Sequence, residues 1–268
     1  MVRLEFENTE VWGFEHALRG MRNPKNSWDR NDSVNCTNCT AENVDSCPYV
    51  KPFYSCFGSK NFIIGKNDMK LTQTLIRAGS EHRKFMRQIF VSVDITAPLY
   101  WWKEFDTYKV GTVANSTSTM HKLTSQPITL DCFEIDDYNI ELFLEERSST
   151  APDIPGLTYN ISMLSFVNST VKNLEHLRKK YLETKDKRYW RELVRWLPES
   201  WLQTRTITMS YENIFNMIKQ RSNHKLNEWS GRDNPNLPNF ISWAKTLPYA
   251  NELLFISQEE DNWENLKI

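Results

Sequence analysis

Alternation opens the chain. Phe6, Glu7 and the residues around them switch between apolar and charged side chains, and this period of two predicts a first strand followed by a short helix ending near Gly20. Residues 21–62 lose periodicity and fill with Asn, Ser, Asp, Cys and Pro, which predicts loops. Asn67 and Asp68 are candidate caps for a helix through Met69, Leu71, Leu75 and Ile76 that stops at Gly79. Ile89 to Ile95 is β-branched and alternating, so it reads as a strand. Thr96, Ala97 and Pro98 open the next helix, with Pro98 in its first turn. That helix is apolar around much of its girth, from Leu99 through Trp101, Trp102 and Phe105 to a stop at Gly111. It is therefore expected to be central. The polar run from Thr112 to His121 reads as a ligand loop.

The later half carries helical spacing. Helices are predicted over Tyr138–Glu146, Met163–Thr184 and Asp186–Leu197, the second with Leu164, Val167, Val171, Leu174 and Leu177 in register. A strand from Thr204 to Ser210 leads into a helix from Tyr211 to about Arg221, and a last segment runs from Phe240 to Leu247. Strand groups set among helices predict an α+β protein with a central mixed or antiparallel sheet packed by helices. No repeat or second domain is evident, so residues 1–268 read as one domain with an insertion at about 31–60.

Composition narrows the function classes. Apolar residues are 40% of the chain and aromatic residues 13%, enough for a sizeable core rather than disorder. The 33 basic and 34 acidic side chains give a net charge of -1, which argues against bulk binding of nucleic acid but leaves room for a local phosphate pocket. No run reaches the roughly 20 apolar residues of a membrane span. The start of the chain lacks the apolar core of a signal peptide, so a cytoplasmic location and no membrane partner are expected.

Four of the five cysteines, Cys36, Cys39, Cys47 and Cys56, fall in the insertion. Cys36 and Cys39 have chelating spacing, but Cys47 and Cys56 do not repeat it. A metal site, a loop of reduced thiols and a disulfide all stay open, and no residue is assigned to a metal.

Two separated segments resemble the flavin-dependent thymidylate synthase family, ThyX. In the family, a strand and an Ala-Pro step lead to an Arg-His-Arg triplet and then to a loop of the form N-E-x-S-x-R. Here Ala97 and Pro98 fit, and the loop keeps Asn115 and Ser118. Counted from Pro98 the triplet falls on Thr107, Tyr108 and Lys109; counted back from Asn115 it falls on Tyr108, Lys109 and Val110. Only Lys109 is basic in either register. Ser116 and Met120 stand where Glu and Arg are usual. The second family pattern is R-x-x-L-P, a strand, N-x-x-x-x-R on a helix, then His and an acidic residue. This chain gives Arg195, Leu197 and Pro198, then Asn216, Arg221, His224 and Glu228, with one residue fewer before Leu197 and before His224.

The resemblance implies a homotetramer with sites at subunit interfaces. It implies methyl, or related one-carbon, transfer to C5 of dUMP or a similar pyrimidine deoxynucleotide. The cofactor would be FAD, with NADPH and methylenetetrahydrofolate as co-substrates. Ser118, Arg195 and Arg221 inherit contacts to the nucleotide; Lys109, Asn216 and His224 inherit contacts to the flavin. Forked guanidinium donors suit a dianionic phosphate, which agrees with the two arginines. The plainer alternatives are that Arg195 and Arg221 neutralise helix C-termini, that Ser118 is an ordinary loop hydroxyl, and that His82 and Arg83 are solvated. The altered triplet also leaves open a ThyX-like nucleotide-binding protein without flavin chemistry.

Overall fold

The computed structural model describes residues 4–36, 61–135, 139–150 and 155–256. Helices and strands mix through the whole length, as expected for an α+β protein. Strands β1 (Glu5–Trp12), β4 (Phe90–Pro98), β8 (Leu202–Ser210) and β5 (Val113–Ser116) form a sheet in the order β1-β4-β8-β5. Two short antiparallel pairs accompany it: β2 (Val34–Cys36) with β3 (Asn61–Ile63), and β6 (Arg147–Thr150) with β7 (Thr158–Ile161). The chain sorts into two compact units, and the boundaries fall inside β1, β4, β5 and β8, after Glu7, Val93, Val113 and Thr206, and after Lys109.

The first unit comprises residues 1–7, 94–109 and 114–206. Its strand ends are tied by side chains: Thr96 and Thr204 hydroxyls meet at 2.7 Å, and Thr206 donates to Asp94 at 2.5 Å. Helix α3 (Leu99–Phe105) buries Trp101, Trp102 and Phe105 as one aromatic cluster. A short helix, α5 (Ile140–Leu144), is capped by Asn139. The long helix α6 (Met163–Thr184) and α7 (Lys187–Arg195) pack a core of Leu123, Ile128, Phe133, Leu174 and Leu193. The turn between the two helices places Lys185 at φ +56°, a left-handed helix end, and Asp186 then caps α7.

The second unit comprises residues 8–93, 110–113 and 207–268. Helices α1 (Phe14–Arg22), α2 (Lys66–Arg77) and α8 (Tyr211–Arg221), with α9 (Asn227–Ser230) and α10 (Phe240–Ala244), gather around Leu18, Ile76, Met86, Phe215, Trp229 and Phe240, all fully buried. The turn into α1 requires Gly13: its φ is +96°, and a Cβ there would lie 2.1 Å from the Gln88 carbonyl oxygen. Arg22 and Asp68, both buried, pair at 2.6 Å.

Several local expectations are corrected. Strand β4 runs on through Pro98, and the helix starts at Leu99, because Pro98 has extended backbone and caps rather than joins the first turn. Residues 113–116 of the expected loop form strand β5 at the sheet edge. Asn67 and Asp68 do not cap α2; their N–H groups donate to the Asp32 carboxylate at 2.8 and 3.0 Å. Asp32, through those two contacts, and the ladder β2–β3 therefore belong to the packed structure, although Asp32 and β2 fall within the stretch 31–60 that the sequence reads as an insertion. Cys39, Cys47 and Cys56 lie outside the described residues, as do Asp136 and Asp137. Among the described residues, no group of His, Cys, Asp and Glu could hold a metal ion, and no helix is long and apolar enough to cross a membrane.

Candidate functional site

In the first unit, Lys109 follows α3 in the chain, and α3 is tied to β8. Trp102 donates its indole N–H to the Gln203 carbonyl at 2.9 Å. Arg205 lies over the Trp102 ring and donates to Asp106 at 2.9 Å. A 3-10 turn, Asp106–Tyr108, follows, and then comes Lys109, which is exposed. The downstream loop is fixed to β8. Thr117 donates through both its N–H and its hydroxyl to the Thr204 carbonyl, at 2.9 and 3.1 Å. The Gln203 amide donates to the Thr117 carbonyl at 2.8 Å. Ser118 is thereby held, half-buried, as the cap of the four-residue helix α4 (Thr119–Lys122), its oxygen accepting from the His121 N–H at 3.2 Å. The hydroxyl caps as an acceptor, and a hydroxyl that accepts one bond still carries a donor hydrogen.

Arg195 ends α7. It pairs with Glu192 one turn back at 2.5 Å and is 63% exposed, so its charge is only lightly committed. The neighbouring Trp196 indole donates to the other Glu192 oxygen, which holds that carboxylate in place.

In the second unit, α8 carries Asn216 and Arg221, and His224 follows just past its end. Ser210 and Asn213 form a capping box that fixes where the helix begins. Arg221 is five positions after Asn216, so the two point to different sides of the helix. Arg221 lies over the Trp229 ring, 5.1 Å from its centre, and His224 meets the same ring edge-on at 6.4 Å. The buried Trp229 is therefore the surface that gathers Arg221 and His224. Asn216 takes a different set of partners. Its side-chain oxygen accepts from Arg83 at 3.2 Å.

Arg83 is a correction. It is buried rather than solvated: the fold places it on the 3-10 turn Arg83–Gln88, where it donates to Glu212 at 3.3 Å and lies 4.7 Å from the centre of the Phe215 ring. Arg87 binds the other Glu212 oxygen, and that carboxylate holds the Arg87 guanidinium above its ordinary range. Lys219 sits over Phe215 as well, at 4.9 Å. Burial, and then the charge of Arg83, push the Lys219 ammonium below its ordinary value. Arg83, Glu212, Lys219 and Arg205 were not selected by sequence reasoning. Arg83 and Glu212 are 129 positions apart, and no local pattern links them.

No family model matches the chain, and no curated protein sequence matches it. Solved structures do. Thymidylate synthase X from Helicobacter pylori, in complex with FAD and dUMP, is similar with a TM-score of 0.56 and 13% identity, over 97% of this chain and 100% of that one. A second structure of the enzyme from that organism, also with FAD and dUMP, gives 0.54 and 15%, over 92% and 95%. The fold of this chain, across nearly its whole length, is that of ThyX.

Proposed function

We propose that this protein binds a pyrimidine deoxynucleotide of the dUMP type and transfers a methyl or related one-carbon group to its C5. The observation that supports this best is the placement of the second motif on a ThyX fold: the arginine and histidine that the resemblance selects, Arg221 and His224, meet on one buried tryptophan. Ser118, Arg195 and Arg221 act as phosphate and sugar donors, Arg221 oriented by Trp229 and Arg195 by Glu192. Lys109, Asn216 and His224 face the FAD. A reduced flavin, when bound, supplies hydride to the pyrimidine ring, so no side chain of this protein has to act as a covalent nucleophile.

The residues fit a flavin in kind but with little charge at the triplet. Lys109 is exposed and is the single cation in either register. Asn216 supplies an amide whose oxygen is already taken by Arg83, leaving its N–H groups for a ligand acceptor. The thin charge at Lys109 favours one second reading, a ThyX-like nucleotide binder without flavin chemistry. A homotetramer in the cytoplasm, with NADPH and methylenetetrahydrofolate as co-substrates, completes the enzyme reading.

The test has three measurements on the purified protein. Visible absorbance reports bound flavin, calorimetry reports dUMP affinity, and light scattering reports the assembly. Yellow protein that binds dUMP in the micromolar range as a tetramer supports the enzyme. Colourless protein that binds dUMP alone moves the reading to the nucleotide binder. Loss of both ligands overturns it.

A further inference from the structure

Helix α8 presents Glu212, Phe215, Asn216 and Lys219 on one side, since steps of three and four residues stay on one helix face. Arg83 and Lys219 both sit over the Phe215 ring, at 4.7 and 4.9 Å from its centre. Two cations on one ring repel each other, and Arg83 is buried, so water screens that repulsion poorly. Glu212 is committed to Arg83 and Arg87. Among the described residues no carboxylate pairs with Lys219.

Arg83 also orients Asn216. A guanidinium only donates, so the Asn216 oxygen faces it and the amide N–H groups face away. An ammonium with no carboxylate partner among the described residues and a pair of oriented amide donors, three residues apart on one helix face, are complementary to an anion with several acceptor oxygens. We propose that Lys219 and Asn216, backed by Arg83, form a phosphoryl-binding locus on α8. Phosphoryl oxygens accept from both groups and relieve the repulsion between Lys219 and Arg83. The ligand class is a phosphate ester or diphosphate, and its source is either the nucleotide substrate or the flavin cofactor. This locus rests on the proposed reading of Asn216 as a ligand-facing residue, and it adds a cation that the triplet comparison does not supply.

The experiment titrates inorganic phosphate, dUMP, FAD and riboflavin into the full-length protein and into Lys219→Ala and Lys219→Arg variants. Lys219 is at the surface, so both variants are expected to fold, which thermal melting checks. In support, Lys219→Ala weakens at least one phosphate-bearing probe about tenfold, as loss of one charge-assisted contact does. Lys219→Arg stays within about threefold of the parent, and riboflavin, which lacks phosphate, is unaffected. A loss seen with dUMP assigns the substrate phosphate, and a loss seen with FAD assigns the cofactor diphosphate. Equal affinity of parent and Lys219→Ala for all phosphate-bearing probes overturns the locus while leaving the proposed function standing. Lys219-dependent binding of inorganic phosphate without binding of dUMP or FAD keeps the locus and removes the proposed function. A parent protein that binds no probe overturns both.

Discussion

Arg205 lies over Trp102, its guanidinium carbon 4.2 Å from the ring centre, while the same group donates to Asp106 at 2.9 Å. One side chain thus joins β8 to both α3 and the 3-10 turn that precedes Lys109. Arg205 is largely buried, at 15% side-chain exposure, so its contacts are poorly screened. Arg205→Ala is expected to destabilise the protein by about 2 kcal/mol, from the lost cation–π contact and the lost charge-assisted bond. Arg205→Lys recovers only part of this, because an ammonium cannot stack as a plane while bonding Asp106. Urea unfolding of the three proteins measures it, and equal midpoints for parent and Arg205→Ala would refute the role.

Acid sensitivity should come from α6. The Arg178 guanidinium beside Glu175, donating at 2.7 and 2.8 Å, holds that carboxyl at about 2, helped by the Ile128 N–H. A depressed carboxyl contributes stability above its unfolded value, near 4.5, and loses it as pH falls towards 2. With 18% of the Glu175 side chain exposed, the contribution is about 2 kcal/mol after solvent screening. Glu175→Gln should therefore lower the melting temperature at pH 7 and match the parent near pH 2. Parallel melting curves across that range would contradict the assignment.

How far the fold was legible depended on the range of the interactions. Helix α6 was placed at its observed ends, Met163 and Thr184, and α8 at Tyr211 and Arg221, because caps and a 3.6-residue period are local signals. Pro98 was read one step too early into a helix because its fixed φ suits a strand end as well as a first turn. The hairpin of β6 and β7 was missed; Arg147–Thr150 is short, polar and exposed, and carries no apolar alternation. Asp32 capping α2, and Arg83 reaching Glu212 and Asn216, were invisible because each joins residues far apart in sequence. For the site, motif order selected Arg221 and His224, yet only the folded chain shows that they share Trp229.

Arg221 gives the sharpest probe of the nucleotide reading. Held over Trp229, its guanidinium is positioned before any ligand arrives, so less entropy is lost on binding. Arg221→Ala is expected to weaken dUMP binding by about 2 kcal/mol or more through loss of a forked contact to phosphate. Arg221→Lys should rescue little, since a point charge neither stacks nor forks as well. Calorimetry with dUMP, alongside far-UV circular dichroism to verify folding, decides the matter. Undiminished affinity in Arg221→Ala would remove the residue from the site.

The cysteine-bearing stretch offers a test in which two deletions of similar size should behave differently. Strands β2 and β3 are antiparallel, with Cys36 opposite Asn61, so the chain leaves and returns at adjacent points. Replacing residues 37–60 by an Asn-Gly turn should close that ladder as an ordinary hairpin. Because loop-closure entropy grows only slowly with length, shortening the connection shifts stability by about 2 kcal/mol at most, and in the favourable direction. Deleting residues 31–60 instead removes Asp32 and Ser33. Asp32 accepts the N–H groups of Asn67 and Asp68 at the start of α2. Ser33 donates to Asp68 at 2.5 Å and accepts from the Gly65 N–H at 3.0 Å. Asp68 is fully buried, and its charge is balanced by Arg22. The Arg22–Asp68 pair itself stays, but each hydrogen bond to a charged carboxylate that is lost costs about 1.5–3 kcal/mol, so the longer deletion should melt well below the parent. Melting curves and light scattering on both variants, with zinc measured in the intact protein, separate the outcomes. A 37–60 replacement that fails to fold, or stoichiometric zinc in the intact chain, would make the stretch a structural element.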